Sequence, residues 1–425
     1  MTEADVDSRD AAQACIVCGE SAVSEFLDLG RTALANKFLT REELAACEPT
    51  YPLRVGFCER CGHVQLTDTV PPAAMFEEYL YISSASDTLK HHFQELSDLL
   101  VARHRLTAAD LVIDIGCNDG SLLGSFRRNG IRTLGVDPAA NLRDFTDRLG
   151  VECYTGFFGA KTAERIVERW GQAALVTATN TFPHIPDLTD FVQGIRTVLQ
   201  PGGVFIIEAH YLVDVLEQVA FDTVYHEHKS YWALGPMQRL FEQHGFQIVD
   251  AERLPIHHGQ IRVTVREQDQ QPPSPRVATL LEAEAAAGLR DRETYRRFAT
   301  KVLAIRSDLA RTLGTLRASG KRVVGYGAPA KGSTLLSFLQ VDSRVVEYIV
   351  DRSRLKQGRY TPGTHIAIVA PEQLLADQPD YVLLLAWNFA DEILQQQGEY
   401  VRRGGRFIIP VPHVQIVPEH APALA

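Results

Sequence analysis

The chain has 425 residues, with 53 acidic against 43 basic side chains and a formal net charge of −10. That length exceeds one ordinary core and predicts two or three domains of a globular protein. The acidic balance, with no run of Lys and Arg interleaved with aromatics, excludes a polyanionic nucleic acid as the expected partner and leaves room for a small anionic ligand.

The first residues, MTEADVDSRDAA, are polar and acidic and hold no apolar stretch of signal-peptide or membrane-span length. The expectation is a cytoplasmic protein without a membrane partner, a monomer or weak oligomer. In a reducing compartment its seven cysteines are thiols or metal ligands and not disulfides. Residues 13 to about 70 are loop-rich and contain five of the seven, the mark of a small unit that needs a staple. Cys15 and Cys18 form one C-x-x-C and Cys58 and Cys61 another, each followed by glycine (Gly19, Gly62). Two thiolates so spaced bind one tetrahedral metal if the chain curls its N–H groups toward the sulfurs, and glycine permits the curl. Four thiolates leave no open coordination position, so the metal is structural. A redox dithiol is the alternative, but no βαβ unit surrounds either pair. Cys47, Cys117 and Cys153 lack partners at ligand spacing and read as ordinary small residues.

From about 75 to 105 the pattern is helical. Strand-like runs follow at LVIDIG (111–116), RTLGVD (132–137), ALVTATN (174–180) and VFIIEA (204–209), separated by helix-compatible stretches. The alternation predicts crossover connections and a mainly parallel sheet. The run QDQQPPSPR (268–276) reads as a break between domains, 277–318 as helix, and a second strand series begins at KRVVGYGA (321–328) and continues through VVEYIVD, HIAIVA, YVLLLAW and RFIIPV. Two α/β units in tandem are predicted, with boundaries that give domains at 1–72, 73–267 and 268–425.

In VIDIGCNDGSLL (112–123), Asp114 ends a strand and Gly116, Asn118, Asp119 and Gly120 lead into a helix. This is where S-adenosylmethionine (SAM) would be held: glycine lets the backbone approach, and the carboxylate accepts from the methionyl ammonium. The third glycine of the dinucleotide fingerprint is missing, which favours SAM over NAD. Asp137, about twenty residues on, is placed for the ribose hydroxyls, and Asn180 ends the next-but-one strand before a loop that holds His184. FDTVYHEHKSYW (221–232) then packs polar and aromatic groups densely. His226 and His228 could be metal ligands, but no further ligand at convincing spacing completes such a site.

Taken in order, C-x-x-C with C-x-x-C-G-H, Y-L-Y-I-S-S-A-S, D-I-G-C-N-D-G-S, Y-H-E-H, G-Y-G-A-P-A-K-G-S-T-L-L and L-L-L-A-W-N resemble the zinc-containing sugar C-methyltransferases of antibiotic deoxysugar pathways. The resemblance runs from about residue 13 to 415. It implies an N-terminal zinc-binding domain, a central class I (Rossmann-like) SAM-dependent methyltransferase domain and a C-terminal Rossmann-like domain that helps hold a TDP-sugar. It implies that His228 is the base that removes the proton beside the sugar ketone, with Tyr225, Glu227, His184 and Tyr79 in the same site; Tyr81 is the alternative in the Y-x-Y run. A carbon must become an enolate before it can attack a sulfonium methyl, so a histidine base and nearby donors suit the chemistry. The chain departs from the motifs at HHGQIRV (257–263), where Gly-Gly-Ser is expected, and at STLLSF, where Ser337 stands in place of the Asn expected after the leucines.

GYGAPAKGST (325–334) joins a strand to a helix, so Gly327, Lys331, Gly332 and Ser333 are placed to cradle a pyrophosphate. Asp351, Lys356, Trp387 and Asn388 are candidate nucleotide contacts. The expected reaction is methylation at C3 of a TDP-4-keto-6-deoxysugar, with C5 methylation as the variant. The rivals are an NAD-dependent nucleotide-sugar oxidoreductase using the C-terminal glycine loop and a zinc-ribbon binding protein without catalysis.

Overall fold

The structure, a computed structural model, describes residues 13–77, 79–256 and 259–419. His257 and His258 of the departing segment lie outside the described residues. The chain opens with three antiparallel strands, β1 (Val23–Thr32), β2 (Tyr51–Cys58) and β3 (Val64–Leu66). Both C-x-x-C pairs sit in reversals made by glycine. Gly19 and Gly62 take φ of 75° and 79°, and their N–H groups donate to the carbonyls of Cys15 and Cys58 at 2.8 Å.

Helices follow at Pro72–Phe76 and Asp87–His104, the second capped by the Ser86 side chain on the Leu89 N–H at 3.3 Å. The helical pattern predicted for 75–105 is thus interrupted, and the physical reason lies elsewhere in the chain. The backbone N–H of Ser83 donates to Asn118 Oδ1 at 2.9 Å and that of Ser84 to Asp119 Oδ2 at 2.7 Å, so the segment is drawn out as a strap.

The middle of the chain forms β4 (Leu111–Ile115), β5 (Arg132–Asp137), β6 (Glu152–Thr155), β7 (Ala173–Thr179), β8 (Leu199–His210), β9 (Ser230–Tyr231), β10 (Phe246–Leu254) and β11 (Gln260–Glu267). Seven of these make one sheet in the order β10-β11-β8-β7-β4-β5-β6, with β4 to β8 parallel and β11 and β10 antiparallel at one edge. Every residue of β4 and β7 is buried, as expected of central strands covered on both faces. The strand order reverses at β4, so the crevice for a ligand opens at the carboxyl ends of β4 and β7. The short strand β9 leaves this sheet and pairs antiparallel with β3, Val64 opposite Tyr231 and Gln65 opposite Ser230.

The last unit has β12 (Val323–Tyr326), β13 (Ile349–Val350), β14 (Ile368–Val369), β15 (Tyr381–Leu384), β16 (Arg406–Ile409) and β17 (Gln415–Val417), in the order β14-β13-β12-β15-β16-β17. This is the doubly wound order, with β17 antiparallel. All five predicted runs contain a strand, although VVEYIVD and HIAIVA pair over only two residues each. The helix predicted for 277–318 is two, Pro275–Ala286 and Arg292–Ala318. The break has a local cause: Gly288 takes φ of 70° and the Asp291 side chain caps the second helix on Glu293 N–H at 2.9 Å.

The predicted boundary at 268 marks a chain turn, after which the first of these helices folds back on the middle sheet. Its Glu284 is buried. One carboxylate oxygen accepts from Leu234 N–H at 2.5 Å and Tyr211 O–H at 3.0 Å, and the other from Gly235 N–H at 3.0 Å. It therefore caps the helix Leu234–Gln243 from a distance in sequence. Further on, Tyr295 of the long helix stacks on Phe57 of β2 at 4.4 Å, and one apolar core runs through all three parts. Removing the cap in Glu284→Ala strands two buried N–H donors and a buried hydroxyl. Thermal denaturation should show a loss of roughly 3 kcal/mol, with zinc content unchanged.

Candidate active site and metal centre

The carboxyl edges of the two α/β sheets face each other across a cavity of about 620 Å³. Asp114, Gly116, Asn118, Asp137 and Asn180 line it from the middle sheet, Tyr79, His184, Tyr225 and His228 from the loops above, and Lys331 and Asn388 from the C-terminal unit. These are predicted site residues, and folding brings them onto one wall.

The SAM loop is built by close approach. Gly116 takes φ of 73°, and a Cβ there would stand 2.0 Å from Thr181 Oγ1, so only glycine lets the loop close on the turn after β7. Asp114 is buried beneath it. Its Oδ1 accepts from Thr177 O–H at 2.6 Å, and burial raises its pKa to about 7. A carboxylate held in so apolar a place has a cationic group as its natural partner, which suits an ammonium. Asp137 accepts from the N–H groups of Asn118 and Ala139, both at 2.8 Å, and keeps lone pairs toward the cavity. Asp119 and Gly120 lie off the wall: Asp119 holds the strap at Ser84 and caps Ser121 N–H at 3.1 Å, and Gly120 starts the following helix. Together with the loop's glycines, these contacts form a cradle that fits SAM.

His228 is buried between His184, His210 and Tyr225, with ring centroids 5.3, 5.4 and 4.0 Å away. Its Nδ1 lies 2.8 Å from the carbonyl oxygen of Thr223. A carbonyl only accepts, so Nδ1 carries the hydrogen and Nε2 keeps its lone pair. Burial, with His184 and Lys331 nearby, holds the pKa well below the histidine range, so the ring is neutral. His184 is stacked between His228 and Phe76, the latter at 5.2 Å, and burial lowers its pKa to about 4.

Glu227 stands behind the wall. It accepts from both Asn36 Nδ2, at 2.8 and 2.9 Å, and Tyr79 O–H, at 2.9 Å, and burial raises its pKa to about 7. Tyr79 itself is fixed by Asn141, which exchanges hydrogen bonds with its backbone at 3.1 and 2.8 Å.

In the C-terminal unit the helix Ala330–Leu339 begins at the cavity, and Pro329, Ala330 and Lys331 line it. The Lys331 ammonium is buried and lies 5.7 Å from the Trp387 ring centroid. Other candidates point elsewhere. Asp351 accepts from Ala328 N–H and Ser353 N–H, both at 2.6 Å, and, unlike Asp137, it does not line the cavity. Lys356 donates to the Ala328 carbonyl at 2.7 Å, and Trp387 Nε1 donates to Asp222 Oδ2 at 2.5 Å. Gly327, Gly332 and Ser333 lie in the packed strand–helix turn and off the cavity wall.

Reading along the sequence missed Asn36, Phe76, Asn141, Thr181 and His210. None belongs to a dense local motif, and Asn36 meets Glu227 across 191 positions.

At the other end of the molecule the sulfurs of Cys15, Cys18, Cys58 and Cys61 lie within 4.8 Å of one another, with two pairs at 3.6 Å. A tetrahedral site with Zn–S of about 2.3 Å has edges of about 3.8 Å, so the cluster fits one zinc. Cys117 and Cys153, which had no partner at ligand spacing, touch each other at 3.7 Å.

Three family models match the chain in order: a putative zinc binding domain over residues 15–76, a methyltransferase domain over 88–251 and a C-methyltransferase C-terminal domain over 255–412. The chain is 39% identical over 404 residues to the C-methyltransferase NovU of Streptomyces niveus, covering 95% of this chain and 96% of that protein. It is 24% identical over 162 residues to a ubiquinone biosynthesis O-methyltransferase of Colwellia psychrerythraea, covering 35% of this chain and 65% of the other. Among solved structures, the PH0226 protein of Pyrococcus horikoshii gives a TM-score of 0.35 at 15% identity, over 47% of this chain and 97% of that one.

Two outcomes are expected. Cys58→Ser removes one of four thiolates, so elemental analysis should show zinc falling from one per chain, and the melting temperature should fall with it. Gly116→Val drives a side chain into Thr181, so calorimetry should detect no binding of SAM while zinc stays at one per chain; unchanged affinity would mean that this loop does not hold the cofactor.

Proposed function

The chain belongs to the zinc-containing, SAM-dependent C-methyltransferases, and on that premise we propose that it methylates C3 of a TDP-4-keto-6-deoxysugar with His228 as the base. SAM, when bound, supplies an electrophilic methyl group. The neutral His228 is the observation that carries the reading. Thr223 fixes its tautomer through Nδ1, and Nε2 is left as a proton acceptor on the wall of the cavity. In this reading Nε2 takes the proton from the ring carbon beside the ketone, leaving an enolate.

Tyr225 stands next to that base, and its hydroxyl serves as donor to the developing oxyanion. Glu227 acts one step back by orienting Tyr79 and Asn36. The diphosphate falls to Lys331 and the start of the helix Ala330–Leu339, where an ammonium and the positive end of the helix favour an anion. Asn388 lines the same end. The assignment of the sugar draws on the full-length similarity to NovU and on the deoxysugar family whose motifs the sequence carries.

An oxidoreductase reading loses its main support because Asp351, the carboxylate it would offer to a ribose, does not line the cavity.

His228→Ala should lower kcat by roughly a thousandfold and leave SAM affinity nearly unchanged, because a base acts mainly in the transition state. A second measurement isolates the proton step. With S-adenosylhomocysteine in place of SAM, the native enzyme in heavy water should wash deuterium into C3 of the TDP-4-keto sugar, and the His228→Ala protein should not. Label at C5 would move the methylated carbon, and equal exchange by both proteins would move the base to another residue.

A further inference from the structure

We propose that Gln260 is a positioning residue, which sets the amide of Asn180 so that an N–H donor, and not an acceptor oxygen, faces the ligands in the cavity. The proposal rests on the methyltransferase reading of that cavity and on no particular sugar.

Gln260 is the first residue of β11 and lies opposite His210 of β8 in the ladder. Asn180 follows β7, on the far side of β8. The Gln260 side chain is fully buried and crosses the end of β8, where its Nε2 donates to Asn180 Oδ1 at 2.5 Å. The approach depends on the residue before it. Gly259 takes φ of 103°, and a Cβ there would stand 1.9 Å from Asp214 Cγ, so the chain reaches β11 by a path open only to glycine.

Asn180 is held equally firmly from its backbone. It takes φ of 59°, a conformation asparagine tolerates better than most residues, and its N–H donates to the Glu208 carbonyl at 2.8 Å. With the backbone fixed and Oδ1 engaged, Nδ2 is left without a hydrogen-bond partner among the described residues, on the wall beside Gly116 and His184. An asparagine alone could turn either end of its amide outward, since the two ends are nearly the same shape. Here Gln260 Nε2 engages the Oδ1 end, and Nδ2 is the end left toward the cavity. Its own Oε1 is buried and has no hydrogen-bond partner among the described residues. Such an orphaned acceptor costs free energy, and it is a cost a leucine at 260 would avoid. A fold that needed only packing at this point would do better without the amide.

The group recognised is an oxygen acceptor. Two sources carry one in this cavity: the carboxylate of the cofactor's methionyl part, and the ketone of the methyl acceptor. The experiment separates them with Gln260→Leu, Asn180→Ala and the double variant, each tested for S-adenosylhomocysteine affinity by calorimetry and for methyl transfer at saturating substrates. If the acceptor is the cofactor carboxylate, Gln260→Leu should weaken S-adenosylhomocysteine binding about tenfold with kcat nearly unchanged. If it is the ketone, affinity should hold and kcat should fall roughly 10- to 100-fold, toward the loss expected for a missing oxyanion donor. In either case the Gln260 effect should vanish in the Asn180→Ala background, because it acts through that amide.

Additive losses, or a Gln260→Leu protein that matches the native one in both measurements, would overturn the proposal. Gln260→Met, closer in length, repeats the test if the leucine protein fails to fold, and zinc content reports on folding throughout. If the native protein binds S-adenosylhomocysteine but no TDP-4-keto sugar is methylated, the sugar assignment fails, while the binding arm still decides on Gln260.

Discussion

The pairing of β3 with β9 is the constraint on which the rest of the site depends. It joins a strand of the zinc domain to Ser230 and Tyr231, just past Y-H-E-H, and side chains reinforce it from both directions. Lys229 Nζ donates to the carbonyls of Leu66 and Asp68 and to Thr69 Oγ1, all at 3.0 Å, while Leu66 N–H donates to the Lys229 carbonyl at 3.0 Å. His226 Nε2 meets the Pro52 carbonyl at 3.1 Å. Positions 226 and 229 are thereby pinned to the zinc domain, and Tyr225 and His228 are left to face the cavity. A closed metal site thus bears directly on the cavity: it fixes the turn from which β3 starts, and β3 fixes the segment that carries His228.

That dependence explains which parts of the molecule can be read from sequence. Cysteine pairs followed by glycine, and a glycine loop between an apolar strand and a helix, are local. Their geometry is dictated by a few adjacent residues, and the structure has the curl at Gly19 and Gly62 and the tight approach at Gly116. Asp351 and Lys356 show the limit. A polar residue after a strand in an α/β unit looks the same whether it faces a ligand or its own loop, and here each is spent on the backbone around Ala328. The strap at 79–86 shows another. Its residues are compatible with helix, and only the competing acceptors on Asn118 and Asp119, thirty-five positions away, draw it out. Asn36 and Asn141 were invisible for the same reason, since each takes its meaning from a partner supplied by another domain or another loop.

The electrostatics of the cavity have a common pattern. Asp114 and Glu227 are buried deeply enough to titrate near 7, and burial lowers the pKa values of Lys331 and Lys356. Buried ionisable groups cost stability unless something of opposite charge or a good hydrogen-bond donor compensates them. Glu227 has Asn36 and Tyr79. Asp114 has only the Thr177 hydroxyl as a hydrogen-bond donor among the described residues, and Lys331 has Asp222 as the charge that favours its ionised form. These two under-compensated groups lie at opposite ends of the cavity wall, one in each α/β unit. An arrangement of that kind is poorly suited to an empty protein and well suited to one that meets a cationic group at the first and an anionic group at the second.

Two doubly wound units set edge to edge then have a physical rationale. In each, the reversal of strand order opens one crevice at the carboxyl edge, at β4 and β7 in the middle sheet and at β12 and β15 in the last. A single such crevice holds one extended ligand, whereas methyl transfer to carbon needs two held in line. Facing the crevices toward each other provides two binding sites with their reacting ends together. Tyr79, His184, Tyr225 and His228, which reach into the space between them, come from loops and turns. His228 is accordingly set by neither α/β sheet. It is set by the Thr223 carbonyl at one end and the zinc-domain sheet at the other, which is why the Y-H-E-H motif is so dense: four consecutive side chains divide between anchoring the segment and facing the ligand.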